Sequence, residues 1–396
     1  MDSNFSSPPP YNATDHPDDP FSNTLSNFLL VLKGTTMITI ISIAVFGNSL
    51  VIISVFKYER LRVITNFFIV SLAFADLLVA MLVMPFSMSM EMTEGRWMFG
   101  RIMCDIFNAN DVLFSTASLI HLCCISMDRY LAILHPLRYE AVMNKHRAML
   151  MLGVSWVASI LISYIPVFSR LYTTEAGVKE HQLDSYLCNF TVNPVYAAVS
   201  SSVSFWIPTL IMMFVYARIF LEARKQERLI QSSAMYMHYT TRDHADPDVQ
   251  RFERRKMKRE HKAAKTLGII MGCFILCFVP FFCWYVVTAA CKTCANPPAL
   301  GSVLFWCGYS NSCLNPIIYA YYNREFRTAF KKILNMDRGQ TEQQASTVSD
   351  PCIRPLNTSY GNSIHRNSVP RNSIHRDSCN ATIRQSFSSG SKRVSF

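Results

Sequence analysis

Seven stretches of the chain are almost free of Asp, Glu, Lys and Arg, and each is close to the ~20 residues a helix needs to cross a bilayer. They run roughly over residues 34–56, 64–90, 104–127, 148–169, 193–217, 266–290 and 297–321. Lipid offers no partners to free backbone N–H and C=O groups, so a segment buried in it must satisfy them internally. A helix does this, whereas a membrane barrel would show ~10-residue alternating segments. The expected fold is an all-α membrane protein, a bundle of seven transmembrane helices. Composition agrees: charged residues are 16% of the chain, against about 25% in soluble domains.

The formal charge of +11 does not point to nucleic acid, because the basic residues sit between alternate spans. Lys57, Arg60 and Arg62 follow the first span, and Arg138, Lys145 and Arg147 follow the third. Arg224, Lys225, Arg228 and the run around Lys256–Arg259 follow the fifth. The N-terminal segment carries Lys33 against Asp2, Asp15, Asp18 and Asp19. The positive-inside rule then puts the N-terminus outside and the C-terminus inside, as expected for a multi-pass plasma-membrane protein. No basic start with an apolar core precedes the first span, so that span is expected to act as the insertion signal. Asn4 and Asn12 begin glycosylation sequons on the expected outer side.

Three regions follow: an extracellular disordered N-terminus over 1–33, a seven-helix domain over 34–335 and a polar cytoplasmic tail over 336–396. The internal loop at about 226–255 has charged, helix-like ends and a middle, Tyr239 to Asp248, that does not look helical. After the seventh span, Phe326, Phe330, Ile333 and Leu334 recur at helical spacing among basic residues, the pattern of an amphipathic helix on a membrane face. The tail repeats Asn362-Ser363-Ile364-His365-Arg366 as Asn372-Ser373-Ile374-His375-Arg376. Arg beside Ser suits a kinase site, and the added charge would recruit a regulator; a plain solvated tail is the other reading.

Most of the 13 Cys lie inside spans, where Cys acts as a small hydrophobe. Four lie at expected outer ends. We pair Cys104 with Cys188, and Cys291 with Cys294 in a small ring; zinc is the rival for the second pair, but no other Cys or His pair stands nearby.

Ionisable groups within a membrane are costly and need a reason. Asp76 lies mid-span, and Ser118, Asn311, Ser312 and Asn315 on other spans would supply it with oxygen and amide groups. That set suits a small hard cation such as sodium, or a plain polar cluster. Asp111, seven residues past Cys104 and so about two turns inward, has no Lys or Arg in any span at its depth. It reads as an anion awaiting a protonated amine, with Ser115 one turn on. Ser200, Ser201 and Ser204 can bond ring hydroxyls, or simply pack helices. Phe281, Phe282, Tyr285, Trp306 and Tyr309 could wall an ammonium by cation–π attraction or simply pack, and they point to a ligand only together with Asp111. Asp128-Arg129-Tyr130 ends the third span; Arg129 can pair with Asp128 or reach Glu260 on the sixth helix as a switch. Pro208, Pro280 and Pro316 interrupt spans five to seven.

Together these motifs resemble the rhodopsin-like G-protein-coupled receptors over about residues 30–335. The resemblance rests on Gly47-Asn48, Leu72 to Asp76, Asp128-Arg129-Tyr130, Trp156, Pro208, Cys277-Phe278-Val279-Pro280 and Asn315-Pro316-Ile317-Ile318-Tyr319, one motif per span in order. Within that family Asp111 and the serines look like a biogenic-amine pocket. The resemblance implies a ligand site of Asp111, Val112, Ser115, Phe190, Ser200, Ser201, Ser204, Phe278, Phe281, Phe282, Tyr285, Phe305 and Tyr309. It implies a switch of Asp128, Arg129, Tyr130, Tyr216, Glu260, Asn315, Pro316 and Tyr319. Residues 115–130, 257–272 and 95–100 look most like the invertebrate beta-adrenergic-like octopamine receptors. That group implies a stimulatory heterotrimeric G protein, a rise in cyclic AMP, and a receptor kinase and arrestin on the tail. Serotonin, dopamine and trace-amine receptors share much of the pattern. The family usually has Trp where this chain has Phe278, so basal activity or efficacy is expected to differ.

Other classes fit less well. A transporter would tend to show internal duplication, and none is visible. An opsin needs a Lys in the seventh span, which 297–321 lacks. A peptide receptor does not account for Asp111. No nucleophile–base pair marks an enzyme, and His121 reads as a structural polar contact.

Overall fold

The computed structural model describes residues 20–184, 186–240, 247–291, 293–294 and 297–336, with side chains except at 20–23, 180–182, 223, 226–227, 229–265 and 298. The sequons at Asn4 and Asn12, the tail repeat and the side chains of Glu260 and Lys256–Arg259 lie outside the described residues.

The described residues are almost wholly helical. The first span is α1 (Pro20–Lys57) and the second is α2 (Ile64–Leu82) with α3 (Met84–Met92). The third is α4 (Gly100–Leu134), and α5 (Pro136–Val142) leads to the fourth, α6 (Lys145–Phe168). After α7 (Glu175–Leu183) the fifth is built from α8 (Pro194–Ser201), a π turn (Ser202–Trp206) and α9 (Ile207–Thr240). The sixth is α10 (Pro247–Ala290), the seventh α11 (Pro298–Tyr322), and α12 (Arg324–Ile333) follows.

Six of these segments are long and apolar enough to cross a membrane. The seventh, α11, has 25 residues, roughly 37 Å of helix against a ~30 Å hydrocarbon core. It is less apolar because Asn311, Ser312 and Asn315 are buried on its inward side. α4 runs through the centre, against α2, α6 and α9. Leu72, Leu119, Phe205, Phe274 and Tyr319 form part of the largest apolar cluster. On α6, by contrast, Leu150, Val154, Val157 and Leu161 are exposed, an outward apolar face that suits lipid and not water.

Most helices outrun the apolar stretches, because a helix continues past the membrane on polar residues that hydropathy does not register. One expectation is corrected. Residues 20–33, assigned above to a disordered N-terminus, are the first turns of α1. Pro20 suits a first helical position, and no Gly or Pro interrupts the run to Gly34. The second span breaks at Val83, since Pro85 cannot donate to the preceding turn. The internal loop is helical at both ends, and 241–246 lie outside the described residues.

One close approach and two disulfides set the frame. A Cβ on Gly47 would stand 2.8 Å from the Pro316 Cβ, so only glycine lets α1 and α11 meet there. At one end of the bundle, Cys104–Cys188 bonds α4 to the loop after α7, and Cys291–Cys294 closes a ring after α10. Trp97 is buried beside the first disulfide, donating its indole N–H to the Gly100 carbonyl at 2.7 Å. Arg170 reaches the same corner with two bonds to Asp105, 3.1 and 2.9 Å. At the other end α12 buries Phe326 and Phe330, and Tyr319 stacks on Phe326 at 5.3 Å. Asn323 caps this helix by accepting from the Glu325 and Phe326 amides.

Candidate functional site

A cavity of about 1600 Å³ opens among the helices at the disulfide end. Asp111, Val112 and Ser115 enter it from α4, Ser200 from α8 and Ser204 from the π turn. Phe278, Phe281, Phe282 and Tyr285 come from α10, Phe305 and Tyr309 from α11, and Phe190 from the loop after Cys188. Twelve of the thirteen residues expected at a ligand site are thus on one wall or another. The exception is Ser201, which is buried with its hydroxyl on its own helix's Ala198 carbonyl, 3.2 Å away. It sits one residue round the helix from Ser200, and a single step of ~100° is enough to turn it off the cavity.

Asp111 forms no ion pair with any described residue. Its neighbour is the Tyr309 hydroxyl, which also faces Ser87. A carboxylate with only a phenol for company, inside a largely aromatic chamber, attracts a cation. Opposite, Ser200 meets the Tyr285 hydroxyl at 3.4 Å, and Ser204 accepts from Thr116 at 3.1 Å. The π turn carries Ser204 and precedes Pro208, and such turns mark functional sites often enough to matter here. Phe205 stacks on Phe282 at 4.2 Å, joining the serine wall to the aromatic wall.

Below this chamber lies a second void of about 10 Å³, lined by Asp76, Ser115, Ser118, Phe278, Tyr309, Asn311 and Ser312. Its size is that of one water or small ion. Asp76 accepts from Asn315 at 2.8 Å, Ser312 at 3.0 Å and Ser118 at 3.3 Å. The Asn311 carbonyl oxygen is buried with no partner among the described residues. An oxygen-rich void with an unused acceptor fits a small hard cation. Ser115, Phe278 and Tyr309 border both spaces and stand at the boundary between them.

At the α12 end, Asp128 is buried and accepts from Thr65 at 2.7 Å, Tyr139 at 2.8 Å and Arg129 Nη2 at 2.5 Å. Arg129 also donates to Thr65. The network ties α4 to α2 and α5. Tyr130 packs with Ile133, Val215 and Ile219. The buried hydroxyls of Tyr216 and Tyr319 both lack a hydrogen-bond partner among the described residues.

Some functional geometry escaped sequence reasoning. Thr65 and Tyr139 carry no local signal for their role, because they meet Asp128 only in three dimensions. The same holds for Ser71, which accepts from Trp156 at 3.0 Å and bonds His121 Nε2 at 2.8 Å. His121 is indeed a structural contact, its Nδ1 on the Ala117 carbonyl.

The chain belongs to the seven-transmembrane receptors of the rhodopsin family, whose family model matches residues 47–319. This is a family of receptors, not enzymes. The chain is 48% identical over 337 residues to octopamine receptor beta-2R of Chilo suppressalis, covering 82% of this chain and 83% of that protein. It is 48% identical to octopamine receptor beta-1R of Drosophila melanogaster, covering 74% of this chain and 60% of the relative. Against octopamine receptor beta-2R of Drosophila the identity is 45%, covering 80% and 63%.

Proposed function

We propose that the chain is a plasma-membrane receptor for a biogenic amine, octopamine first, that couples to a stimulatory heterotrimeric G protein and raises cyclic AMP. The observation that carries this reading is Asp111, a carboxylate in an aromatic cavity without an ion-pair partner among the described residues. The ligand ammonium sits on Asp111 within reach of Tyr309, and its ring lies between Phe281, Phe282 and Phe305. The ring hydroxyl turns to Ser200 and Ser204. The beta-type octopamine receptors among the relatives support the choice of amine and of coupling.

The disulfide end faces outward, supported by the charge bias of the loops and by the oxidising conditions that disulfides need. The other end receives the G protein. A ligand favours an active state only through higher affinity for it; here that state swings α9 and α10 outward, releases Arg129 from Asp128 and Thr65, and lets Tyr319 and Tyr216 move. Asp76, Ser118, Asn311 and Ser312 hold a sodium ion, which supplies charge to the resting state. The tail is a substrate for a receptor kinase and then binds arrestin.

The test is cyclic AMP in cells expressing the receptor, with octopamine, tyramine, dopamine, serotonin and noradrenaline, beside Asp111→Asn. Octopamine should lead. The substitution should cost on the order of 30-fold in potency or more, as removal of one member of a buried charge pair does. Silence to all five from receptor shown at the surface overturns the ligand assignment.

A further inference from the structure

The cavity has an arm that the amine reading does not use. It runs from Asp111 between α1, α3 and α11, lined by Lys33, Met37, Ser87, Glu91, Trp306 and Tyr309. Gly34 brings α1 onto α3, since a Cβ there would stand 3.3 Å from the Met92 sulfur. That approach places the Lys33 ammonium on the Glu91 carboxylate in an ion pair. Glu91, Tyr309 and Asp111 line the same cavity, so both carboxylates border the space beside the Tyr309 ring. Trp306 is buried in the same arm, and its indole N–H has no acceptor among the described residues.

The two carboxylates differ in one respect: among the described residues Asp111 has no cation and Glu91 has Lys33. We propose that the arm is a second ligand subsite whose carboxylate is occupied by Lys33, so that Lys33 selects ligands with one ammonium group against ligands with two. A diamine seated on Asp111 must displace Lys33 from Glu91 to place its second ammonium, and the displaced lysine then stands beside a like charge. A monoamine meets no such obstacle. The inference rests on Asp111 as the amine anchor and adds a determinant of selectivity to it.

The experiment uses competition binding on membranes bearing the full chain, with N-(ω-aminoalkyl) octopamines of two to eight methylenes and N-alkyl octopamines of equal length as controls. On the unaltered receptor no diamine should bind better than its alkyl control. On Lys33→Met at least one chain length should gain about tenfold over its control, and Lys33→Met with Glu91→Gln should lose that gain. Lys33→Gln, which keeps a neutral donor for Glu91, gives the same comparison where Lys33→Met reaches the surface poorly. A diamine already favoured on the unaltered receptor overturns the proposal. So does the absence of gain at every length in both Lys33 variants, or a gain that survives Glu91→Gln. Asp111→Asn separates the two readings: if it leaves octopamine binding intact, the anchor itself is wrong; if it abolishes binding while the Lys33 variants gain nothing, only the subsite is.

Discussion

Phe278, with Ser115 and Tyr309, borders two spaces, the large cavity above and the small polar void around Asp76 below. It stacks on Phe274 at 4.6 Å, and its ring edge comes within 3.3 Å of where a Cβ on Gly308 would be. An indole there either presses on Gly308 and Phe274, overpacking that costs roughly 1–3 kcal/mol, or extends into the cavity. Phe278→Trp should therefore shift basal or octopamine-stimulated cyclic AMP; unchanged values for both would remove Phe278 from the switch. Tyr139 offers a second test. Burial, reinforced by the Asp128 carboxylate, pushes its phenol from 10.0 up to about 12. The neutral donor is therefore fully present below pH 10 and is lost as pH rises toward 12, outside the physiological range. Tyr139→Phe should loosen Asp128 by about 1–2 kcal/mol and raise basal cyclic AMP, with no added pH dependence between about 6 and 8. A basal signal no higher than that of the unaltered receptor would contradict this. The charged residue of each motif was readable in the chain because a carboxylate within an apolar run stands out. Its partners were not, because Thr65 and Tyr139 are ordinary residues until folding brings them to Asp128.

Helices carry information that a hydropathy reading misses where they are interrupted. The π turn at Ser202–Trp206 inserts a residue into the fifth span, and Ser200 and Ser204 both face the cavity across its start. Deleting Val203 should restore an α-helical register and turn one of the two serines away by about 100°. Potency should then fall for octopamine more than for phenylethanolamine, which lacks the ring hydroxyl; an equal fall for both would point to general damage instead. The contact between α1 and α11 is equally local in cause. Gly47→Val would place carbon against Pro316 at 2.8 Å, and the helices must part. Surface expression and thermal stability of Gly47→Val should drop, while Gly153→Ala, with open space around its Cβ, should change little. The seven spans themselves were legible because each must be apolar on its lipid side. The breaks at Val83 and Ser202 were not, because a proline signals an interruption without saying whether the helix will kink, split or bulge.

The bundle as a whole is closed by two disulfides of different reach. Cys104–Cys188 joins residues 84 apart and Cys291–Cys294 residues 3 apart. On the chain-entropy account the first contributes about 4–5 kcal/mol and the second about 2. Cys188→Ser should therefore lower the thermal inactivation temperature of detergent-solubilised receptor well beyond Cys294→Ser. Equal losses would mean that the long bridge acts mainly by shaping the cavity wall at Phe190. The corner around Trp97, with Arg170 on Asp105, ties α4 also to the loop after α6.

Sequence by itself determined the number of spans and the family, and it singled out the acid proposed as the anchor. Each follows from a rule that acts on one segment at a time: backbone satisfaction in lipid, motif order, and the cost of a charge in an apolar run. Tertiary structure decided which serines reach the cavity, that Phe278 borders both spaces, and that Lys33 pairs with Glu91 while no described residue pairs with Asp111. Those facts depend on helix phase and on distances between residues far apart in the chain. A sequence carries them only as the combined outcome of all its packing contacts.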